Sequence, residues 1–249
     1  MDILETDAYD RRQKRNTSCA LCLSLVPFFL ATAAFFYTRT PDFAPSAVAA
    51  GVKAAPTLLL AFLVLSWKGG QSVLGVAGGL VSSAVGDICL VWSELFLHGM
   101  GAFAVAHLLY AFSFLSARYS PLSSSSCWIR FLYVLLFVMG GGSYVYLYPY
   151  IQKAPDAAVL TPAVGVYVAL ITLMVALAVR TRRAATLLGG LSFMVSDLTL
   201  ALQIFKVMPS LEHGYTIVMI TYYLAQLLIA VGDIKAVENE DDFAKWKRS

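Results

Sequence analysis

The sequence predicts an all-α polytopic membrane protein, a single membrane domain of eight transmembrane helices. Hydrophobic residues make up 59% of the chain and charged residues only 13%. With a mean hydropathy of +0.73, there is too little polar surface to coat a soluble globule. Apolar runs close to the length of a bilayer-spanning helix recur along the chain, split by short polar or Gly/Pro-bearing links. None alternates with period two as a strand would, and backbone in lipid must be satisfied within a helix or a closed barrel.

The first run, residues 19–37, follows a polar stretch and is 19 residues long, which favours a retained anchor over a cleaved signal peptide. Span 2 is 47–67 and carries Lys53. Span 3 is 72–92 and carries Asp87; span 4 is 99–117 and carries His107. Spans 5 and 6 are 131–148 and 160–179, with Pro149, Pro155 and Pro162 free to move their ends by several residues. Span 7, 184–205, carries Asp197, and span 8 is 215–231. Residues 1–18 and 232–249 then flank a membrane domain of 19–231 as polar tails.

Orientation follows from Lys and Arg. With the N-terminus inside, Arg11, Arg12, Lys14, Arg15, Lys68, Arg118, Arg130, Arg180, Arg182, Arg183, Lys235, Lys245, Lys247 and Arg248 are cytosolic, 14 of the 18 cations. Only Arg39, Lys153 and Lys206 fall on the other side, so both termini are expected in the cytosol. The net charge of +3 needs no nucleic acid to explain it. Lys245 and Lys247, fifth and third from the end in KWKRS, resemble a dilysine signal for return to the endoplasmic reticulum. Cys19 and Cys22 form a CxxC at a membrane boundary with no partner pair, which reads as small apolar residues or acylation sites rather than a redox or metal group.

Inside these spans the only charges are Lys53, Asp87 and Asp197, and the only histidine is His107. Each charge near the bilayer centre costs about 2.5 to 3.5 kcal/mol on insertion scales, so such residues face a polar cavity or pair with one another. At about 1.5 Å per residue all four fall in one layer, in the lumenal half. The segment around Asp87, GGLVSSAVGDICL, is echoed around Asp197 by GGLSFMVSDLTL, and AHLLYAF after the first by TYYLAQLLIA after the second. That is the pattern of a parallel four-plus-four pseudo-repeat with the polar site where its halves meet. Gly79 and Gly190 share a helix face with the carboxylates and permit close helix packing. Ser83, four residues before Asp87, and Ser196, beside Asp197, are candidate hydrogen-bond donors to them.

Two carboxylates and one ammonium in a poorly solvated cavity relax by keeping one carboxyl protonated. A neutral acid beside a carboxylate suits enzymes that protonate a substrate with one group while the other steers water or stabilises a cation. No G-x-S-x-G elbow is present, and His98 and His213 fall in lumenal loops, which leaves too few imidazoles at depth for a three-histidine zinc site. No metal or cofactor is therefore expected.

Taken together, SSAVGDICLVW, HGMGAFAVAHLLYAFSF, LSFMVSDLTLA, TIVMITYYLAQLLIA and the K-x-x-P of Lys53 and Pro56 resemble the lysoplasmalogenase (YhhN-like) family of eight-helix membrane proteins, its vertebrate members in particular. The resemblance implies hydrolysis of the vinyl ether bond of 1-alkenyl lysoglycerophosphocholine or lysoglycerophosphoethanolamine, giving a fatty aldehyde and the glycerophospho-base. It matches the family's two motif aspartates to Asp87 and Asp197, and its helix histidine and tyrosines to His107, Tyr110, Tyr222 and Tyr223. On this reading Lys53 holds the ionised carboxylate or reaches the phosphate, while His107, Tyr222, Tyr223 and Gln226 position water and the polar head. The implied partners are the lysoplasmalogen and membrane lipid. A proton-coupled lipid or small-molecule transporter is the rival class, since repeats with intramembrane carboxylates describe that too.

Overall fold

The computed structural model describes residues 15–38, 45–67, 75–119, 127–207 and 213–246. The N-terminal residues before 15, together with Arg39, Lys68 and Lys247, lie outside them. Among the described residues there are helices, turns and short irregular links, and no strand.

Eight helices follow in order: α1 Arg15–Thr38, with a turn at Leu25, α2 Ala47–Ser66, α3 Val76–Cys89, α4 Phe96–Leu115, α5 Cys127–Ile151, α6 Ala157–Thr181, α7 Ala184–Ile204 and α8 Gly214–Trp246. Seven are long and apolar enough to cross a membrane, which makes the chain an all-α multi-pass membrane protein. The exception is α3. Expected over 72–92, it ends at Cys89 after 14 described residues, about 21 Å at 1.5 Å per residue. Leu90 to Trp92 leave the helix in a turn that leads into the 3-10 turn Ser93–Leu95. His98, expected in a loop, stands exposed in the first turn of α4.

Local chemistry sets several ends and bends. Ser46 caps α2, its Oγ accepting from the Ala49 N–H at 3.1 Å, as N-cap serines do. Pro56 inside α2 has no N–H, so the Val52 carbonyl four residues back loses its donor. α6 stops at Arg182, in the left-handed region at φ 53°.

Each helix packs on the next within the first four and again within the last four. Between these groups α4 packs on α6, and α8 packs on α2 and α3. The central core joins Leu60 of α2, Leu80 of α3, Phe114 of α4, Met174 of α6, Phe193 of α7 and Ile229 of α8, each fully buried. Apolar side chains such as Phe62, Phe112, Val138 and Val166 point outward, at 60% exposure or more, as on a surface that lipid covers.

The tail expected from residue 232 begins instead as a continuation of α8. Asp233, Ile234, Ala236 and Val237 are buried, and Glu238 accepts from the Trp67 indole N–H at 3.2 Å. Asp233 is an intramembrane-edge charge that the span boundaries missed. Tyr119 donates to its Oδ1 at 2.9 Å and Arg118 Nε lies 3.6 Å away. Arg118 and Arg183 both stack their guanidinium groups 5.7 Å from the Tyr119 ring. Burial, reinforced by the Asp233 carboxylate, pushes the Tyr119 phenol well above its ordinary range, so it stays a donor. The result is a buried clasp tying the end of α4 to α8.

Candidate active site

Asp87 stands two residues before the end of α3 and is 1% exposed. Its Oδ2 accepts from Tyr222 Oη of α8 at 2.5 Å and from Thr57 Oγ1 of α2 at 3.4 Å. Lys53 Nζ, one turn before Thr57, lies 3.8 Å from Oδ1. Asp197, in α7, has a side chain 14% exposed. Its Oδ2 accepts from Tyr167 Oη of α6 at 2.6 Å and lies 3.2 Å from His107 Nε2 of α4. Each carboxylate is thus held by a helix of its own half of the chain and by the last helix of the other half. The two tyrosine bonds are the shortest that either carboxyl group makes.

Backbone features place these groups. Tyr223 Oη donates to the Lys53 carbonyl at 2.8 Å, fixing α8 to α2 next to the carbonyl that Pro56 leaves without a donor. Gly86 precedes Asp87, and a Cβ there would meet the Phe103 ring at 2.6 Å. The missing side chain therefore lets α4 approach α3 beside the carboxylate.

Two cavities open from this point. One, of about 390 Å³, lies among α4, α5, α6 and α7, and of its lining residues only Ser143, Tyr167 and Asp197 carry hydroxyl or carboxyl groups. The other, of about 430 Å³, is lined by Lys53, Asp87, Ser93, Ser196, Asp197, Tyr215 and Tyr222 together with apolar residues. Leu90, Phe96, Phe103, Asp197, Leu200 and Ile204 line both. Leu90 and Trp92, expected in the last turn of a span, are instead part of the cavity wall.

Of the residues singled out from sequence, Lys53, Asp87, His107, Asp197 and Tyr222 gather at or directly behind the cavities. Ser83, Tyr110 and Gln226 form a separate, fully buried tie in which Tyr110 Oη donates to Gln226 Oε1 at 2.6 Å and Ser83 Oγ lies 3.5 Å from the phenol. Gly79 serves that tie, since a Cβ there would run into the Tyr110 ring. Ser196 lines the second cavity, but its hydroxyl donates to the Val218 carbonyl at 3.1 Å rather than to Asp197. Sequence reasoning missed Thr57 and Tyr167. One signal could have found them: Asp197 follows Asp87 by 110 residues (197 − 87), and Tyr167 follows Thr57 by the same interval (167 − 57). Among the described residues, no group of three or more His, Cys, Asp or Glu is placed to hold a metal ion.

The YhhN family profile matches residues 48–232. Lysoplasmalogenase TMEM86A of Bos taurus is 36% identical over 236 residues, covering 88% of this chain and 92% of the relative. Lysoplasmalogenase TMEM86B of Sus scrofa is 39% identical over 208 residues, covering 83% and 84%. Its Homo sapiens counterpart is 36% identical over 237 residues, covering 92% and 97%. No solved structure matches the chain.

Proposed function

Since the chain belongs to the YhhN family, we propose that it is a lysoplasmalogenase, an ether hydrolase that cleaves the vinyl ether of 1-alkenyl lysoglycerophospholipids by two-carboxylate acid catalysis. The observation that carries the mechanism is that Asp87 and Asp197, approached from different helices, line one cavity. A vinyl ether resists base but becomes labile once its β-carbon is protonated. The oxocarbenium ion so formed takes up water, and the resulting hemiacetal collapses to a fatty aldehyde and the glycerophospho-base. This chemistry asks for an acid at the alkene and an acceptor for the proton of water. The two carboxyl groups supply both, each held in place by a phenol.

The matching surroundings of the two carboxylates also support the four-plus-four duplication. Under it α2 corresponds to α6 and α4 to α8, and the cross-contact of α4 with α6 then has its counterpart in that of α8 with α2.

The test is purified protein in detergent with a lysoplasmalogen, read out as fatty aldehyde. Asn keeps the shape of Asp but can neither deliver an acidic proton nor take one up. Asp87→Asn and Asp197→Asn should therefore each lower turnover by several orders of magnitude while the protein still inserts and purifies. A variant that keeps more than about a tenth of the activity, a barrier change of only about 1.4 kcal/mol, removes that residue from the mechanism.

A further inference from the structure

A single-chain lysolipid needs apolar surroundings for its chain and polar ones for its head, and the two cavities supply these on either side of one carboxylate. The apolar cavity lies in the cleft between α5 and α7, both packed on α6. Met139 and Val195 on its wall are 54% and 51% exposed, so it opens on the lipid-facing surface. The second cavity holds Lys53, Asp87 and Ser93. Of the six residues lining both, Asp197 alone has a polar side chain.

The carboxylates also differ in how their oxygens are used. Tyr167 and His107 both approach Oδ2 of Asp197, which leaves Oδ1 for another task. At Asp87 both oxygens are engaged, Oδ2 by Tyr222 and Thr57 and Oδ1 by the Lys53 ammonium.

In a vinyl ether the β-carbon is on the chain side of the double bond and the ether oxygen on the glycerol side. A chain lying in the apolar cavity therefore brings the β-carbon to the junction, with the oxygen-bearing carbon turned toward the polar cavity. Resting on the lysoplasmalogenase reading, we propose that the two aspartates have fixed and different tasks: Asp197 protonates the alkenyl β-carbon of a chain lying between α5 and α7, and Asp87, beside Lys53, takes the proton from the attacking water.

The steps balance. The π electrons of the alkene take the Asp197 proton, forming a C–H bond and leaving an oxocarbenium ion. Water adds to the oxygen-bearing carbon and loses a proton to Asp87, giving the hemiacetal. The bond from that carbon to the glycerol oxygen then breaks as the oxygen takes the proton held by Asp87. The hemiacetal hydroxyl gives its proton to Asp197, which releases the aldehyde and restores both side chains. Tyr167 is a positioning residue, fixing Oδ2 of Asp197.

Isotope wash-in separates the two tasks. In deuterated water the Asp87→Asn variant should still protonate the alkene, but with water addition blocked the cation reverts by losing a proton. Unreacted lysoplasmalogen recovered from the reaction should therefore carry deuterium at the vinyl β-carbon, at least tenfold more than with Asp197→Asn or without protein. The opposite pattern, equal wash-in for both variants, or none for either overturns the division of tasks. Absence of aldehyde from the unaltered protein would instead overturn the lysoplasmalogenase reading itself.

A second measurement leaves both aspartates intact. Val168→Trp fills the apolar cavity, so its loss of kcat/KM on a long-chain substrate should exceed its loss on a four-carbon alkenyl analogue by tenfold or more. Equal losses on both substrates, or the same chain-length dependence from Ser93→Trp in the polar cavity instead, would mean that the lipid does not lie this way.

Discussion

Tyr167 contributes the shortest hydrogen bond to Asp197, 2.6 Å, and its removal tests how far the carboxylate depends on being held. Tyr167→Phe keeps the ring, and with it the cavity wall and the ring contact with His107, whose centroid is 5.3 Å away, and deletes the hydroxyl that donates to Asp197 and lies 3.1 Å from His107 Nε2. Loss of a single orienting bond to a group in acid-base catalysis is expected to lower kcat about 10- to 100-fold, the lower part of the range such catalysis supplies. KM should change far less. A fall in kcat/KM that resides wholly in KM would assign Tyr167 to lipid binding instead. Asp87, Asp197, Lys53 and His107 were legible in the sequence because charge and imidazole are rare in apolar spans and costly there. Tyr167 and Thr57 were not, since a hydroxyl in a membrane helix is common and 13 tyrosines give no contrast. Ser83, Tyr110, Ser196, Tyr223 and Gln226 are equally polar, yet they are spent on hydrogen bonds that join helices. Composition cannot tell a buried tie from a cavity wall, because both satisfy the same need for a partner.

At the level of the helices, the close contact of α3 with α4 depends on what glycine omits. Gly79 faces the Tyr110 ring with no room for a Cβ, whereas Gly101 on α4 has nothing within 4 Å of the corresponding position. Gly79→Ala is therefore expected to destabilise the protein by about 1 to 3 kcal/mol, the usual cost of overpacking a core. Gly101→Ala should leave stability unchanged or slightly raised by helix propensity. Thermal unfolding in detergent reads both, and equal melting temperatures for the two variants would contradict the packing described. Most helices could be placed from hydropathy to within a few residues. Its failure at α3 has a physical cause: Leu90 and Trp92 are apolar because they wall cavities, and apolarity reports the surroundings of a side chain rather than the path of its backbone. The opposite error at α8 has a matching cause. Span 8 is expected to end at residue 231, two residues before Asp233, but a carboxylate paired with Arg118 and Tyr119 can be buried with its partners.

For the molecule as a whole, the cation asymmetry along the chain implies one orientation in the membrane, and the clasp of Arg118, Arg183, Tyr119 and Asp233 collects on the side expected to face the cytosol. Epitope tags at both termini should be reached by antibody when only the plasma membrane is permeabilised, while a tag inserted at Lys153 stays protected. Exposure of the Lys153 tag, or protection of either terminus, would invert or break the orientation. The compartment in which the tagged chain accumulates also tests the endoplasmic reticulum address expected from Lys245 and Lys247. The shortness of α3 has a bearing on the surroundings as well. A helix of 14 residues cannot match a hydrocarbon layer about 30 Å thick, and a bilayer adapts to such a mismatch by compressing locally. Such compression would draw headgroups and their hydration inward where α3 ends, beside Asp87. Water for a hydrolysis at the two carboxyl groups would then have only a short way to travel from the membrane surface.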